Sequence, residues 1–398
     1  MKNSMRFIVL QVLLLWLQFT ACSSYSELNA LLKLKADMKG PRGRGLEDWD
    51  DASSPLAYCS FSGVTCDEDL RVTALNLTFI PLFGFVSPDI GLLNKLVNLT
   101  LTQSNFTGNL RKETANLTSL KLLNISHNNF SGHFRGKITL VMMDLEILGA
   151  YDNNFTGPLP WEIANLKKLK QFDLGGNFFP VPASLAHLKN LEELYLVYYN
   201  AYEGDIPPEL GYIASLQLLD MANCDLTGEI PASLSFLRNL YTLFLQMNHL
   251  TGRIPTEFSK SRTEWEAQGT RRHQKPPNRN ASSGFVQRRK LKTMIAIANF
   301  FYGVIPQQLG ECKSLSKIRL TKNYFTGSIP AGIFNLPLAI MIDLNGNYFS
   351  GELPLEISGD ALGILKLSDN NFTGKITPAI GNLKSLHTLS LEMNKFSG

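Results

Sequence analysis

The sequence predicts an α/β solenoid, in which short repeats stack and each repeat contributes one strand. The stretch Leu-x-Leu-x-x-Asn-x-Phe-x-Gly recurs along the 398-residue chain in two blocks, with spacings of 23 to 25 residues within each block. This length exceeds one ordinary core of about 100–200 residues but suits a repeat array. Apolar residues make up 44% of the chain and charged residues 18%, which excludes wholesale disorder.

The repeats align on one position, which is Asn in ten of thirteen units. These anchor positions are Ile80, Ser104, Asn128, Asn153, Asn177, Asn200, Cys224, Asn248, Asn299, Asn323, Asn347, Asn370 and Asn394. In each Leu-x-Leu strand both Leu side chains point to the core and the x residues point to the other side. The Asn turns inward to bond backbone groups, and the following Phe adds a second apolar column. Stacking then buries the Leu face and leaves the x positions on a concave face.

The first residues predict a leader rather than part of the fold. Lys2 and Arg6 precede an apolar run from Phe7 to Leu17, and small residues follow it, as in a signal peptide over 1–23. The alternative is a short membrane anchor, but the run is too short to span a bilayer. Secretion would place the chain in an oxidising compartment.

Four further segments follow from the repeat phase. They are an N-terminal cap over 24–70, a first repeat block over 71–258, a basic irregular insertion over 259–293, and a second, C-terminally truncated block over 294–398. Within the cap, 24–39 has the pattern of an amphipathic helix, with Ser24 and Glu27 as a capping box and Gly40-Pro41 as the stop.

The segment 259–293 carries ten Lys or Arg and two Glu, a local net charge of +8 within a chain of net charge +4. Secretion and the lack of interleaved aromatics argue against nucleic-acid binding. Three interpretations remain open: a functional arm, a solvated loop and translated non-coding sequence. Asn248 and Asn299 are 51 residues apart, which predicts that about one repeat is replaced here and that the core is interrupted.

The consensus is that of the leucine-rich repeat of plant extracellular type, so the predicted fold is a leucine-rich repeat superhelix with an N-terminal helical cap. Trp49 and the run Cys59-Ser-Phe-Ser-Gly-Val-Thr-Cys66 resemble the plant cap motif, which implies a disulfide between Cys59 and Cys66. A metal site is the alternative for these two residues, but no further ligands stand nearby.

A closer resemblance rests on the cap run together with Pro81-Leu-Phe-Gly84, Tyr198-Tyr-Asn-Ala-Tyr202 and Gly310-Glu-Cys-Lys-Ser-Leu315. These stretches resemble the ectodomain of CLAVATA1-type receptor-like kinases over about 24–258 and 294–398. The resemblance implies binding of a small secreted CLE-type peptide along the concave face, with a leucine-rich repeat co-receptor, in developmental (meristem) signalling.

Family members continue into a transmembrane helix and a cytosolic kinase. This sequence ends at Gly398 within a repeat and shows no kinase motif, so we expect a chain without enzymatic activity, cofactor, metal or nucleic-acid partner. It would be secreted as given, or lie on the extracellular side of the plasma membrane in the full-length family. The alternative is a soluble secreted repeat protein resembling polygalacturonase inhibitors, which would bind another protein.

Two groups of x positions are candidates for ligand contact. The aromatic group is Tyr195, Tyr198, Tyr199 and Phe244, with Gln246 beside it. Exposed aromatics suit peptide recognition, although cross-strand packing is the alternative.

The second group is Lys317 and Arg319, two residues apart on one strand. The family resemblance implies that this Lys-x-Arg pair grips the free C-terminal carboxylate of the peptide. The alternative is two solvated cations.

Asn-x-Ser/Thr sequons are expected in a secreted repeat of this consensus, and glycans at some of them. The nine candidates are Asn76, Asn98, Asn105, Asn116, Asn124, Asn129, Asn154, Asn280 and Asn371. A glycan on Asn124, an x position of its strand, would obstruct the N-terminal part of the concave face.

Overall fold

The computed structural model describes residues 26–38, 45–50, 57–134, 136–180, 183–198, 204–259 and 291–397. These residues belong to two compact units, Met1–Leu191 and Glu192–Gly398. The predicted signal peptide and residues 260–290 of the predicted insertion lie outside the described residues. Among the described residues, no helix combines the length and apolar character needed to cross a membrane.

The first unit contains a helical cap followed by a main sheet and a small second sheet. The main sheet has the order β1-β2-β3-β5-β7-β9 and is parallel except for the β1–β2 pair, and the second sheet is β4-β6-β8. Its α-helices are α1 (26–37) and α2 (Gly136–Val141). Its strands are β1 (Val64–Cys66), β2 (Val72–Asn76), β3 (Asn98–Thr100), β4 (Thr107–Gly108), β5 (Leu122–Asn124), β6 (Asn129–Gly132), β7 (Ile147–Gly149), β8 (Asn154–Phe155) and β9 (Gln171–Asp173).

The second unit repeats the same arrangement without a cap. Its main sheet, β10-β11-β12-β13-β15-β17-β19-β21, is parallel throughout, and its second sheet is β14-β16-β18-β20. Its α-helix is α3 (Ala331–Phe334). Its strands are β10 (Glu193–Tyr195), β11 (Leu218–Asp220), β12 (Thr242–Phe244), β13 (Thr293–Ile295), β14 (Tyr302–Gly303), β15 (Lys317–Arg319), β16 (Tyr324–Gly327), β17 (Met341–Asp343), β18 (Tyr348–Gly351), β19 (Ile364–Lys366), β20 (Asn371–Phe372) and β21 (Thr388–Ser390).

Short 3-10 helices lie in the cap and in the connections between the repeat strands. They are Ala57–Ser60, Pro88–Leu92, Lys112–Asn116, Trp161–Asn165 and Ala183–His187 in the first unit, and Pro208–Tyr212, Ala232–Phe236, Thr256–Ser259, Gln307–Glu311 and Pro378–Asn382 in the second. Three of them have Pro as their first residue (Pro88, Pro208 and Pro378), where its fixed φ suits a helical start. The predicted leucine-rich repeat fold is confirmed, with five parallel repeat strands in the first unit and eight in the second.

The anchor asparagines form the buried hydrogen-bond ladder that the repeat predicted. Asn323 Nδ2 donates to the carbonyl oxygens of Ala296, Leu320 and Thr321 at 2.9, 3.0 and 3.2 Å. Its Oδ1 accepts the backbone N–H of Phe301 in the preceding repeat at 3.2 Å. Each Asn therefore satisfies backbone groups that stacking removes from water.

The phenylalanines form the second column of the core. In the second unit Phe301, Phe325, Phe349, Phe372 and Phe396 stack in sequence, with ring centroids 5.9–6.3 Å apart. Two anchor positions use smaller groups: Ser104 donates its hydroxyl to backbone oxygens, and Cys224 is a buried free thiol that does the same. Cys312 is also buried and free, close to the carbonyl of Leu291.

The predicted interruption of the core at the basic segment is wrong. Strand β12 pairs directly with β13 in register, Thr242 with Thr293 and Phe244 with Ile295. Asn299 continues the ladder, because its Nδ2 donates to Leu245 O at 2.9 Å and its Oδ1 accepts Leu250 N–H at 3.0 Å. The 51-residue spacing thus contains an insertion into one repeat, not a replaced repeat.

The cap confirms the disulfide and revises the role of Glu27. Cys59 and Cys66 are bonded, with an S–S distance of 1.98 Å. Ser24 lies outside the described residues, and both oxygens of Glu27 bind partners far along the chain. Its Oε1 accepts Arg71 Nε at 2.7 Å, and its Oε2 accepts Val72 N–H at 2.9 Å. Glu27 therefore ties α1 to the first repeat strand.

Candidate ligand-binding site

The side of the main sheet opposite the leucine core presents two rows of side chains in the second unit, which we call the open face. Alternation along each strand puts the middle residue in the core and the first and third residues on this face. The first row is Glu193, Leu218, Thr242, Thr293, Lys317, Met341, Ile364 and Thr388. The second row is Tyr195, Asp220, Phe244, Ile295, Arg319, Asp343, Lys366 and Ser390.

The aromatic candidates are distributed over different positions. Tyr195 and Phe244 are half-buried members of the second row, and the Tyr195 hydroxyl donates to Glu193 Oε2 at 2.9 Å. Gln246 follows Phe244 at the next outward position and is half-buried. Tyr198 lies in the turn after β10, with φ 60° and 45% of its surface exposed. Tyr199 lies outside the described residues.

The cationic pair shares strand β15, as the alternation predicted. Lys317 is exposed, and no carboxylate of the described residues forms an ion pair with it. Arg319 is held from the next strand, because its Nε and Nη2 donate to Asp343 Oδ2 at 3.4 Å each. Asp343 is 3% exposed and its Oδ1 accepts the Thr321 hydroxyl at 2.7 Å. The guanidinium is therefore oriented by a buried carboxylate and is not a freely solvated cation.

Asp220 is a carboxylate of the second row without a cationic partner among the described residues. Its Oδ1 accepts the backbone N–H of Ala222 at 3.0 Å. Burial raises the pKa of Asp220 to about 6, and the Ala222 hydrogen bond opposes this only in part. Tyr195 faces it from β10 and Phe244 from β12, so the carboxylate lies between two aromatic side chains.

The raised pKa of Asp220 predicts a pH-dependent stability. Between its ordinary value near 3.8 and about 6, the folded protein binds more protons than the unfolded chain, so stability falls as pH rises through this window. Asp220→Asn keeps an acceptor for Ala222 N–H and loses the charge. We expect the variant to be more stable than wild type in urea unfolding at pH 7.5 and similar at pH 4.

Asp144→Asn serves as a control, because the pKa of Asp144 is shifted in the opposite direction from that of Asp220. The hydrogen bond from Lys168 lowers the pKa of Asp144, so this carboxylate stabilises the fold above its titration range. The Asn variant at position 144 should be less stable than wild type at pH 7.5, and this difference should shrink only as pH falls below about 3.8, the ordinary pKa of the carboxyl group. Equal pH slopes for wild type and Asp220→Asn would contradict the assignment for Asp220.

A row of exposed aromatics that the sequence argument missed lies beside the open face. His249, Phe300, Tyr324 and Tyr348 stack face to face with ring centroids 5.6–6.1 Å apart. They line an open groove of about 650 Å³ together with the exposed Lys322. Each directly follows an anchor Asn, so scanning that single position along the repeats would have found the row. Their ring faces stack on one another, and Phe300, Tyr324 and Tyr348 remain 42–51% exposed.

The sequons fall mainly on exposed positions. Asn76, Asn98, Asn105, Asn116, Asn129 and Asn154 are exposed, Asn124 and Asn371 are half-buried, and Asn280 lies outside the described residues. Asn124 occupies an outward position of β5, opposite Thr100 of β3, as the alternation predicted. Asn76 and Asn98 lie on β2 and β3 of the same sheet. Glycans there would cover the strand face of the first unit but not the open face of the second.

No group of three or more His, Cys, Asp or Glu that could hold a metal ion occurs among the described residues. The free thiol of Cys224 is unsuited to nucleophilic chemistry, because burial raises its pKa well above the ordinary range. The side chains of the open face can offer hydrogen bonds, charge and aromatic contact to a ligand.

Family models match two parts of the chain. The model described as the leucine rich repeat N-terminal domain matches residues 24–67, and the leucine rich repeat model matches 215–237, 239–261 and 361–383. The first match includes the Cys59–Cys66 disulfide, and the repeat matches include strands β11, β12 and part of the β19 repeat.

Similar proteins are receptor kinases of plants. The LRR receptor-like serine/threonine-protein kinase GSO2 of Arabidopsis thaliana is 34% identical over 109 residues, which is 27% of this chain and 8% of that protein. The crystal structure of PEPR1–AtPEP1 has a TM-score of 0.78 at 32% identity, covering 94% of this chain and 49% of that chain. The Arabidopsis receptor kinase HAESA, solved with the peptide hormone IDA and the co-receptor SERK1, has a TM-score of 0.75 at 26% identity, covering 93% and 62%.

This chain is similar in sequence and fold to the leucine-rich repeat ectodomains of plant receptor kinases. It spans less than two thirds of the proteins compared here. The matches lie in the leucine-rich repeats and in the N-terminal domain that precedes them. The relatives are various receptor kinases, so the CLAVATA1-type assignment is carried forward as a proposal.

Proposed function

We propose that this chain is the ligand-binding region of a plant peptide-hormone receptor of the CLAVATA1 type, and that a CLE-type peptide lies across the open face of the second unit. The observation that carries this proposal is the pair Lys317 and Arg319, which point outward from one strand. The peptide-hormone complex of HAESA supports the class of ligand.

The pair suits a free carboxylate for a structural reason. Asp343 Oδ2 contacts only the Nε and Nη2 side of Arg319, so the Nη1 group remains available to an incoming anion. Lys317 adds a second positive charge from the adjacent outward position. Together the two groups provide charge-assisted hydrogen bonds, which are stronger than neutral ones.

A leucine-rich repeat co-receptor is the second proposed partner, since HAESA was crystallised with SERK1. An extracellular location follows from the same proposal, because a secreted peptide meets its receptor outside the cell. The disulfide between Cys59 and Cys66 is consistent with an oxidising compartment.

The carboxylate contact is tested with synthetic CLE-type peptides that carry either a free or an amidated C-terminus. We expect Arg319→Ala to weaken binding of the free-acid peptides by about 1.5–3 kcal/mol, or about 10- to 150-fold in Kd, the range for a charged hydrogen bond. Amidation should cost a similar amount in wild type and little more in Arg319→Ala, because both changes remove one interaction. Isothermal titration of the secreted protein measures all four combinations.

Lys322→Ala is the matched control, since this lysine lies in the same repeat but lines the neighbouring groove. Its binding should equal that of wild type. Strictly additive losses from Arg319→Ala and amidation would show that the two groups do not meet. Absence of binding by every peptide of the CLE panel would reject the CLE-type assignment.

A further inference from the structure

Asp220 lies on the open face between two aromatic side chains, and we call these three side chains the notch. Its neighbours in the second row are Tyr195 on one side and Phe244 on the other. Adjacent strands are about 4.7–4.9 Å apart, so both aromatic side chains are within contact range of a group bound at the carboxylate. The notch combines one negative charge with two π systems.

The carboxylate is not neutralised from within the protein. The bond from Ala222 N–H to Oδ1 is the polar contact that the structure gives it, and no Lys, Arg or His of the described residues pairs with it. The two carboxylates of the described residues that are less than a tenth exposed are each paired with an arginine: Glu27 with Arg71, and Asp343 with Arg319. A half-buried charge without a counter-ion lowers the stability of the fold. A role in ligand binding would explain why such a residue is present.

An acceptor without a donor lies in the segment that follows β12. The Oε1 atom of Gln246 is buried and receives no hydrogen bond in the structure. Gln246 follows Phe244 on the same face, and its carbonyl accepts Asn223 N–H at 2.9 Å, which fixes its strand next to the Asp220–Ala222 segment. Buried acceptors normally have a donor. Asp220 therefore lacks a counter-ion, and Gln246 Oε1 lacks a hydrogen-bond donor.

We propose that Asp220, Tyr195, Phe244 and Gln246 form a subsite for an arginine side chain of the peptide ligand. A guanidinium has five N–H donors and no acceptor, so it can serve the carboxylate and the amide oxygen together. It also stacks on aromatic faces more readily than an ammonium group does. This inference rests on the proposed function, since it names a residue of the ligand that the open face binds.

The position of that arginine in the ligand follows from the sheet. Strands β11 and β15 are separated by three strand steps through β12 and β13. At about 4.7–4.9 Å per step, Asp220 and Arg319 are about 14–15 Å apart along the row. An extended peptide advances about 3.3–3.6 Å per residue, so the arginine would stand about four residues before the C-terminal carboxylate.

The open face also sets the direction of the peptide. The acidic side chains Glu193 and Asp220 lie at the β10–β11 end, and the cationic pair lies on β15. Between them the second row is apolar, with Phe244 and Ile295. A peptide with an arginine, then apolar or small residues, then a free carboxylate is complementary in one direction only.

The test uses a positional-scanning library of octapeptides with free C-termini and a matched amidated library. In each sub-library one position is fixed as arginine or as citrulline, which has nearly the same shape and no charge. We expect arginine three to five positions before the C-terminus to bind wild type at least about tenfold more tightly than citrulline. Asp220→Asn, which keeps the Ala222 hydrogen bond, should abolish this preference.

Asp225→Asn is the control, because Asp225 is an exposed carboxylate of the same repeat that pairs with His249 away from the notch. It should keep the arginine preference. An arginine preference that survives in Asp220→Asn would overturn the subsite. A preference for free carboxylates without any for arginine would also overturn it and leave the proposed function standing.

A third result would support the arginine subsite but not the carboxylate contact. An Asp220-dependent arginine preference that is the same in the free and amidated libraries would support the subsite and reject the carboxylate contact at Arg319. If no sub-library binds wild type at concentrations up to about 1 mM, both the subsite and the peptide-binding proposal fail.

Discussion

Replacing Asn323 by Ala is expected to lower the free energy of unfolding by about 3–5 kcal/mol, the tail of single-substitution effects. The substitution leaves the buried carbonyls of Ala296, Leu320 and Thr321 and the N–H of Phe301 without their partner. An unsatisfied buried group costs about 1–3 kcal/mol, and partial rearrangement reduces the sum. The effect is large because one side chain serves two repeats.

The chain itself offers the matched control for this ladder position. Ser104 occupies it in an early repeat and directs its hydroxyl to Leu77 O and Thr102 O at 2.9 and 3.0 Å. Asn323→Ser should therefore lose clearly less stability than Asn323→Ala. Urea unfolding measures the loss, and hydrogen exchange at the Phe301 amide reports it locally if the array unfolds in steps. Equal stability of the two variants would argue against the ladder as the cause.

Replacing Arg71 by Ala is expected to destabilise the cap by about 3–5 kcal/mol, the cost of breaking a buried ion pair by removing one partner. Glu27 is 1% exposed and keeps only the Val72 N–H contact in this variant. Burial already raises the pKa of Glu27, and Arg71 is one of the groups that lower it. The variant should therefore regain stability as pH falls and Glu27 takes up a proton.

Two comparisons identify the buried pair as the cause. The double variant Glu27→Leu/Arg71→Met should be closer to wild type than Arg71→Ala, because apolar replacements remove both desolvated charges. Lys33→Ala removes an exposed ion pair with Asp89 and should change stability by at most about 1 kcal/mol. Protection of α1 amides from hydrogen exchange at pH 7 and pH 4.5 measures all variants. An Arg71→Ala cap as stable as wild type at pH 7 would contradict the role given to Glu27.

The sequence predicted the repeat positions well because they depend on local geometry. Alternation within Leu-x-Leu assigns Leu243 to the core and Phe244 to the open face, and the turn after the strand brings Asn248 back inside. These assignments need only the dihedral pattern of about ten residues. The alternation recurs along the described repeat strands, but burial of the inward side chain also needs neighbouring repeats, and Leu389 of β21 is 43% exposed.

The site was predicted only in part, because side-chain partners lie on other strands. Lys317 and Arg319 were placed correctly on one face, but the contact of Arg319 with Asp343 joins residues 24 positions apart. Glu27 shows the same limit: its pattern predicted a local capping box, whereas its partners stand 44 and 45 residues away.

By itself the sequence determined the period, the inward and outward positions, the Asn ladder and the Cys59–Cys66 cap motif, since each is encoded within one repeat or one short run. Only the tertiary structure decided which repeats are neighbours. It stacked Asn299 directly on the repeat of Asn248 despite the 51 residues between them. The physical reason is that the entropy cost of closing a loop grows only slowly with its length. A long connecting segment therefore does not prevent two repeats from stacking. The same stacking set Asp220 between Tyr195 and Phe244, a neighbourhood that no local pattern contains.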